Sequence, residues 1–159
     1  GLMRDYKKAN ELFLRAGQLG CAMAYQNLAN SYLHGEGVEK DMKKATHYWE
    51  LAAMQGNVSS RYSLGLFEAK MQGNMNRALK HFMISAVAGD DGSLKAIRQL
   101  FSSGHATKDD FEKALRAHKE AADEMKSEKG RQLRWIKIFG VHFMLYKNRC
   151  IISWLGFNS

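Results

Sequence analysis

The chain has 159 residues, 45% hydrophobic and 25% charged, with no proline and two cysteines. That is enough apolar material for one continuous core and too few cysteines for a disulfide-stapled secreted scaffold. The net charge of +8 points to nucleic acid only until it is divided. Lys129, Arg131, Arg134, Lys137, Lys147 and Arg149 follow position 128 with no acid among them, leaving 18 basic against 16 acidic side chains before it. A nearly neutral bulk of this kind excludes an extended nucleic-acid-binding face.

From the start, the chain repeats itself. The segment DYKKANELFLRAGQLG (5–20) returns as DMKKATHYWELAAMQG (41–56), and Ala9, Ala45, Ala78 and Ala114 share one register at spacings of 36, 33 and 36. Four residues after the first three alanines stand Phe13, Trp49 and Phe82. Seven after stand Ala16, Ala52 and Ser85, and eleven after stand Gly20, Gly56 and Gly89. These are helical spacings closed by a residue suited to a left-handed helix end, and they define helix A of each unit. A second stripe defines helix B: Ala24, Leu28 and Tyr32, then Ser60, Leu64 and Glu68, then Ser93, Ile97 and Phe101. Glu68 replaces an aromatic, and the loop after it is about one helical turn shorter than its neighbours.

Capping residues fit the division. Asp41 precedes the second helix A, Asn57 opens the second helix B, and Asp109 with Glu112 has the spacing of a capping box before the fourth helix A. Asp90-Asp91 and Asp109-Asp110 also stand at helix starts, where the helix dipole favours acid. The small and aromatic columns predict close helix pairs with rings filling the gaps between them, each unit depending on its neighbours for burial.

The stretch AYQNLANSYLHGEGVEKDMKKATHYWELAAMQGN (24–57) resembles the Sel-one-like repeat, a subclass of the tetratricopeptide-like helical repeats. That pattern is A-x-x-x-L-G-x-x-Y-x-x-G-x-G-V, an acid, K-A, an aromatic pair, A-A and a final glycine. Here Ala24, Leu28, Tyr32, Gly35, Gly37, Val38, Asp41, Lys44, Ala45, Tyr48, Trp49, Ala52, Ala53 and Gly56 carry it, with Ala29 in place of the usual glycine. The next unit keeps Leu64, Gly65, Ala78, Phe82, Ala86 and Gly89 without the G-x-G-V loop. The third keeps Ile97, Phe101, Gly104, Ala114 and Leu115. The resemblance covers 5–125. It implies an all-α, right-handed superhelix, a solenoid of about three and a half antiparallel helix pairs. It also implies a non-catalytic scaffold or adaptor that gathers members of a complex, including membrane-associated degradation and signalling assemblies. A second reading is the partner-binding part of a RING-type ubiquitin ligase whose zinc finger lies upstream. The chain begins with glycine, so an upstream segment is expected.

The array is expected over 1–128. The tail, 129–159, is basic and aromatic-rich, and its uncharged run at 138–146 is about half the roughly 20 residues a membrane-crossing helix needs. A hydrophobic cap on the last repeat, an interfacial segment binding membrane weakly, and a misjoined coding sequence all fit it. Cys21 and Cys150 form no paired motif, so reduced thiols in an intracellular, cytoplasmic setting are expected. His34, His47, His81, His105, His118 and His142 show no metal-ligand spacing. Gly35-Glu36-Gly37 follows a helix rather than a strand, which reads as an interhelical turn and not a phosphate loop. No catalytic residue, metal site or cofactor is expected.

The remaining candidates lie on the A helices beside the core stripe: Lys8, Glu11, Arg15, Lys44, His47, Leu51, Arg77, Lys80, Ile84, Lys113 and Arg116. In stacked helix pairs these helices line the concave side, where partners dock. Basic residues dominate the set. A protein or peptide partner with an acidic segment is one reading, and an ordinary solvated face is the other.

Overall fold

A computed structural model describes residues 5–126. They form α1 (Tyr6–Gln18), α2 (Ala22–His34), α3 (Met42–Met54), α4 (Val58–Lys70), α5 (Met75–Val87), α6 (Asp91–Ser102) and α7 (Lys108–Lys126), with no strand among them. The fold is all-α and of the helical-repeat kind. Odd-numbered helices are the A helices and even-numbered ones the B helices. The tail, with His142 and Cys150, lies outside the described residues. Those residues divide between Ser60 and Arg61 into two compact units, each taken by itself below.

Local chemistry sets the helix ends. Asp5, Asp41, Asn74 and Asp90 each accept the backbone N–H three residues on, at 3.1 Å from Lys8, 3.0 Å from Lys44, 3.1 Å from Arg77 and 2.6 Å from Ser93. Asn57 accepts from the Ser60 N–H at 2.7 Å, as its position predicts. At the other ends Gly20, Gly56 and Gly89 have φ of 95°, 88° and 86°. The next N–H, of Cys21, Asn57 and Asp90, then reaches back to the carbonyls of Ala16, Ala52 and Ser85 at 3.0, 2.9 and 3.1 Å. Those acceptors are the small residues of the register, so one column serves both close packing and helix closure.

The capping box of α7 differs from expectation. Thr107, not Asp109, is the cap: the Asp110 N–H donates to Thr107 Oγ1 at 3.1 Å and the Thr107 N–H donates to Asp110 Oδ2 at 3.0 Å. The Thr107 hydroxyl also donates to Asp110 Oδ2 at 2.6 Å, and this bond first, then that of the Thr107 N–H, holds the Asp110 carboxyl below the usual carboxylate range. Asp110 is the register equivalent of Asp41, but α7 starts a turn earlier. Asp109 and Glu112 therefore lie inside the helix, where they pair with Lys113 at 2.6 Å and Lys108 at 3.6 Å.

In the first unit α2 packs against α1 and α3. Its core is Ala24, Leu28, Ala29, Ala45, Trp49, Ala52 and Ala53, all buried. Tyr25, also buried, lies directly on the α1 backbone at Gly17, where any side chain would collide with its ring. Asn10 of α1 donates to the Glu36 carbonyl at 2.7 Å, which ties the G-E-G turn to the helix. Gly37 in that turn has φ of 71°, and a Cβ there would stand 2.5 Å from Tyr6 Cβ, so the turn is built to meet α1.

In the second unit α5 packs against α6, and α7 lies on both. Ala78, Phe82, Ala86, Ile97, Leu100, Ala106 and Ala114 make the core, with Tyr62, Leu66, Met83 and Phe111 packed around them. Gly65 of α4 receives the Phe82 ring: a Cβ there would lie 2.5 Å from Cε1. The B-helix stripe departs at Phe101, which is exposed and stacks on Phe111 with centroids 5.6 Å apart, while Leu100 and Ala106 fill the core. Leu115 is exposed as well.

Glu68, where the repeat has an aromatic, is buried and meets Arg77 of α5 at 3.0 Å. The backbone follows the same link, since the Asn74 N–H donates to the Glu68 carbonyl at 2.9 Å. An acid is tolerated there because the short α4–α5 loop brings a guanidinium beside it.

Three outcomes are expected in urea denaturation. Trp49→Ala removes a buried ring and costs roughly 3–5 kcal/mol; a loss under about 1 kcal/mol would show that the ring is not core. Arg77→Ala strands the Glu68 carboxylate and costs about 1–2 kcal/mol, discounted because the arginine is largely exposed. Glu68→Leu is expected to be neutral or stabilising, and equal losses from both variants would contradict this account of the pair.

Candidate protein-binding surface

The structure places the candidate residues on the outward sides of the A helices. Lys8, Glu11 and Arg15 lie on α1, Lys44, His47 and Leu51 on α3, Arg77, Lys80 and Ile84 on α5, and Lys113 and Arg116 on α7. All are exposed except Leu51, which is half-buried. In the second unit α5 and α7 pack on each other, so that unit holds Arg77, Lys80, Ile84, Lys113 and Arg116 on adjoining helices. In the first, the Gln55 side chain just past α3 donates to the Gly17 carbonyl of α1 at 3.2 Å, bringing the ends of those two helices together.

The basic residues are not equivalent. Lys44 Nζ lies 3.9 Å from Asp41 and 5.2 Å from the centre of the Tyr32 ring. Arg77 is committed to Glu68, and Lys113 to Asp109, whose hydrogen bond and charge push the Lys113 pKa up. Lys8, Arg15, Lys80 and Arg116 form no ion pair with a described residue at this range, so their charge is the most available.

Beneath Lys44 runs a ladder of tyrosines. Tyr48 stacks on Tyr25 and Tyr32 with centroids 5.9 and 5.6 Å apart, and His47 meets Tyr48 edge-on at 5.4 Å. Burial, then the neighbouring Tyr32 and Tyr25, push the Tyr48 phenol above its ordinary range, so it stays protonated at neutral pH. The ladder is a rigid, uncharged support for the face carrying Lys44 and His47.

The sequence candidates stop one turn short. Met54 and Val87 occupy the next register position on α3 and α5 and are 80% and 48% exposed. Continuing each column by three residues would have reached them. Among the described residues, no group of three or more His, Cys, Asp or Glu side chains could hold a metal ion, and no helix is long and apolar enough to cross a membrane.

Comparison with known proteins accounts for this arrangement. The Sel1 repeat family model matches residues 1–21 and 22–57. A Sel1 repeat protein from Oxalobacter formigenes, known from its crystal structure, superposes with a TM-score of 0.63 at 27% identity, covering 77% of this chain and 52% of that one. The chain thus spans about half the length of that protein. Sel1 repeat proteins generally mediate protein–protein interaction and are generally non-catalytic scaffolds. With seven helices on one repeat register among its described residues, the chain is similar to Sel1 repeat proteins, and the two matched repeats lie within residues 1–57.

Proposed function

We propose that this chain is a non-catalytic adaptor, acting in the cytoplasm, whose A-helix faces hold an acidic segment of a partner protein. One observation carries the reading: the outward face of α5 bears Lys80 with no ion pair to a described residue, beside Arg77, whose charge Glu68 offsets, and no acid occurs anywhere in Met75–Val87. Exposed charges of this kind add little to stability, but they speed encounter with an oppositely charged partner and select it. The face of α3 repeats the pattern in the first unit with Lys44 and His47.

The test uses the full chain and a fluorescent twelve-residue peptide rich in glutamate. Lys80→Glu is the cleaner variant, because Lys44→Glu also sets a carboxylate beside Asp41. Each reversal is expected to weaken binding about tenfold, roughly 1.4 kcal/mol, while leaving the helical circular dichroism unchanged. Wild-type affinity is expected to fall as salt rises. Unchanged binding by the Lys44→Glu, Lys80→Glu double variant would leave the basic face as ordinary solvated surface.

A further inference from the structure

The outward face of α5 is divided along its length. Arg77, Lys80, Ile84 and Val87 are spaced by three, four and three residues, which places them within about 80° of arc on one side of the helix. The first two are cationic. The last two are apolar and 53% and 48% exposed. The face of α3 has the same order, Lys44 and His47 followed by Leu51 and Met54. The outer A helices do not share it: the equivalent columns read Lys8, Glu11, Arg15 and Gln18 on α1, and Lys113, Arg116, Glu120 and Asp123 on α7. Single exposed apolar residues are ordinary. A basic-then-apolar order at matching positions of two helices, one in each unit, calls for a cause, with Leu51 the half-buried member on α3.

Stability supplies only part of it, since Arg77 pairs with the buried Glu68 and Lys44 stands 3.9 Å from the capping Asp41. The N-terminus of a helix is the positive end of its dipole, where a cation is disfavoured by about 0.3–1 kcal/mol. Neither α3 nor α5 has an acid in its first turn, but Asp41 at the α3 cap and Glu68 beside Arg77 offset two of the cations, so on α5 Lys80 is the one with no ion pair to a described residue. Exposed Ile84 and Val87 are equally unhelpful to a free chain, because apolar surface in water gains nothing from folding. An acidic and apolar segment is the chemistry that fits Lys80, Ile84 and Val87 together.

Building on the acidic-segment reading above, we propose that the α5 face reads a partner segment in which an acidic residue and an apolar residue stand two or three positions apart. The acid meets Lys80, and the apolar side chain settles on Ile84 and Val87. The spacing follows from the helix rise: Ile84 lies about 6 Å and Val87 about 10.5 Å along the axis from Lys80. An extended peptide advances about 3.3 Å per residue, so two or three steps match that interval. An anionic membrane shares this chemistry but fits less well. An interfacial helix buries a broad apolar face, whereas the other sides of α5 are spent on the core through Ala78, Phe82, Ser85 and Ala86.

The test measures fluorescence anisotropy of the full chain with twelve-residue glycine-serine peptides. Each carries two aspartates and one leucine separated by one to six positions, made in both orders, beside a peptide with the aspartates alone. Binding is expected to be tightest at spacings of two and three and about fivefold tighter than to the aspartate-only peptide. Ile84→Ser, and separately Val87→Ala, should erase most of that gain while leaving aspartate-only binding and helicity intact. Lys80→Glu should weaken every peptide. Equal affinity with and without leucine, or no dependence on spacing, overturns this inference and leaves the acidic-segment reading standing. Failure of every acidic peptide to bind removes both. Sedimentation with phosphatidylserine-phosphatidylcholine vesicles, lost in Ile84→Ser and unaccompanied by peptide binding, would assign the face to a membrane and overturn the inference.

Discussion

The fold depends on an aromatic ring seated where the neighbouring helix has no side chain. Tyr25 of α2 lies on Gly17 of α1, and Phe82 of α5 lies on Gly65 of α4. Each contact lets two backbones approach closely while a large ring fills the space beside them, so close packing and apolar burial come from one interaction. Ala45, Ala52, Ala78, Ala86 and Ala114 are fully buried around these rings because nothing larger would leave the helices at that distance. Ala52 and Ala86, with Ala16 and Ser85 of the same columns, lend their carbonyls to the turns that end the A helices, which ties helix length to packing.

With burial concentrated on one stripe, the opposite face of each A helix is free to vary. That freedom is used differently along the chain. On α7 the outward positions pair with one another as Lys113 with Asp109 and Lys108 with Glu112, giving a self-neutralised surface. On α5 Arg77 turns back to Glu68, and Lys80 is left with Ile84 and Val87 for company. On α3 the tyrosine ladder beneath Lys44 fixes the helix that presents it. Each unit builds its own core from the same kinds of column, and the outward face is where partner choice would be written.

Much of the fold was legible because its constraints are periodic. The alanine, aromatic and glycine columns located all seven helices of the described residues, and Asp41, Asn57 and Asp90 cap as their positions predict. What escaped was set by geometry between elements. The cap of α7 fell to Thr107 because that helix starts a turn early. Glu68 looked like a defect in the pattern until Arg77 was seen beside it, since no periodicity links a B helix to the first turn of the next A helix. Phe101 left its stripe because Leu100 and Ala106 fill the core there and the Phe111 ring offered it another seat. On the candidate surface, the columns picked out exposed residues apart from the half-buried Leu51. They could not tell a free lysine from one held by a neighbouring acid, and they ended before Met54 and Val87.

The seating of Phe82 on Gly65 can be isolated by a double-mutant cycle, read from urea denaturation of the full chain. Gly65→Ala pushes a methyl into the ring, and Phe82→Leu withdraws the ring at the cost of buried area, each expected to lose about 1–3 kcal/mol. If the ring requires the missing side chain, the methyl costs little once the ring is gone, and the double variant should be more stable than the sum of the two losses by about 1 kcal/mol or more. Losses that add within about 0.5 kcal/mol would mean that the two positions act independently, and that the packing of this unit rests on something else.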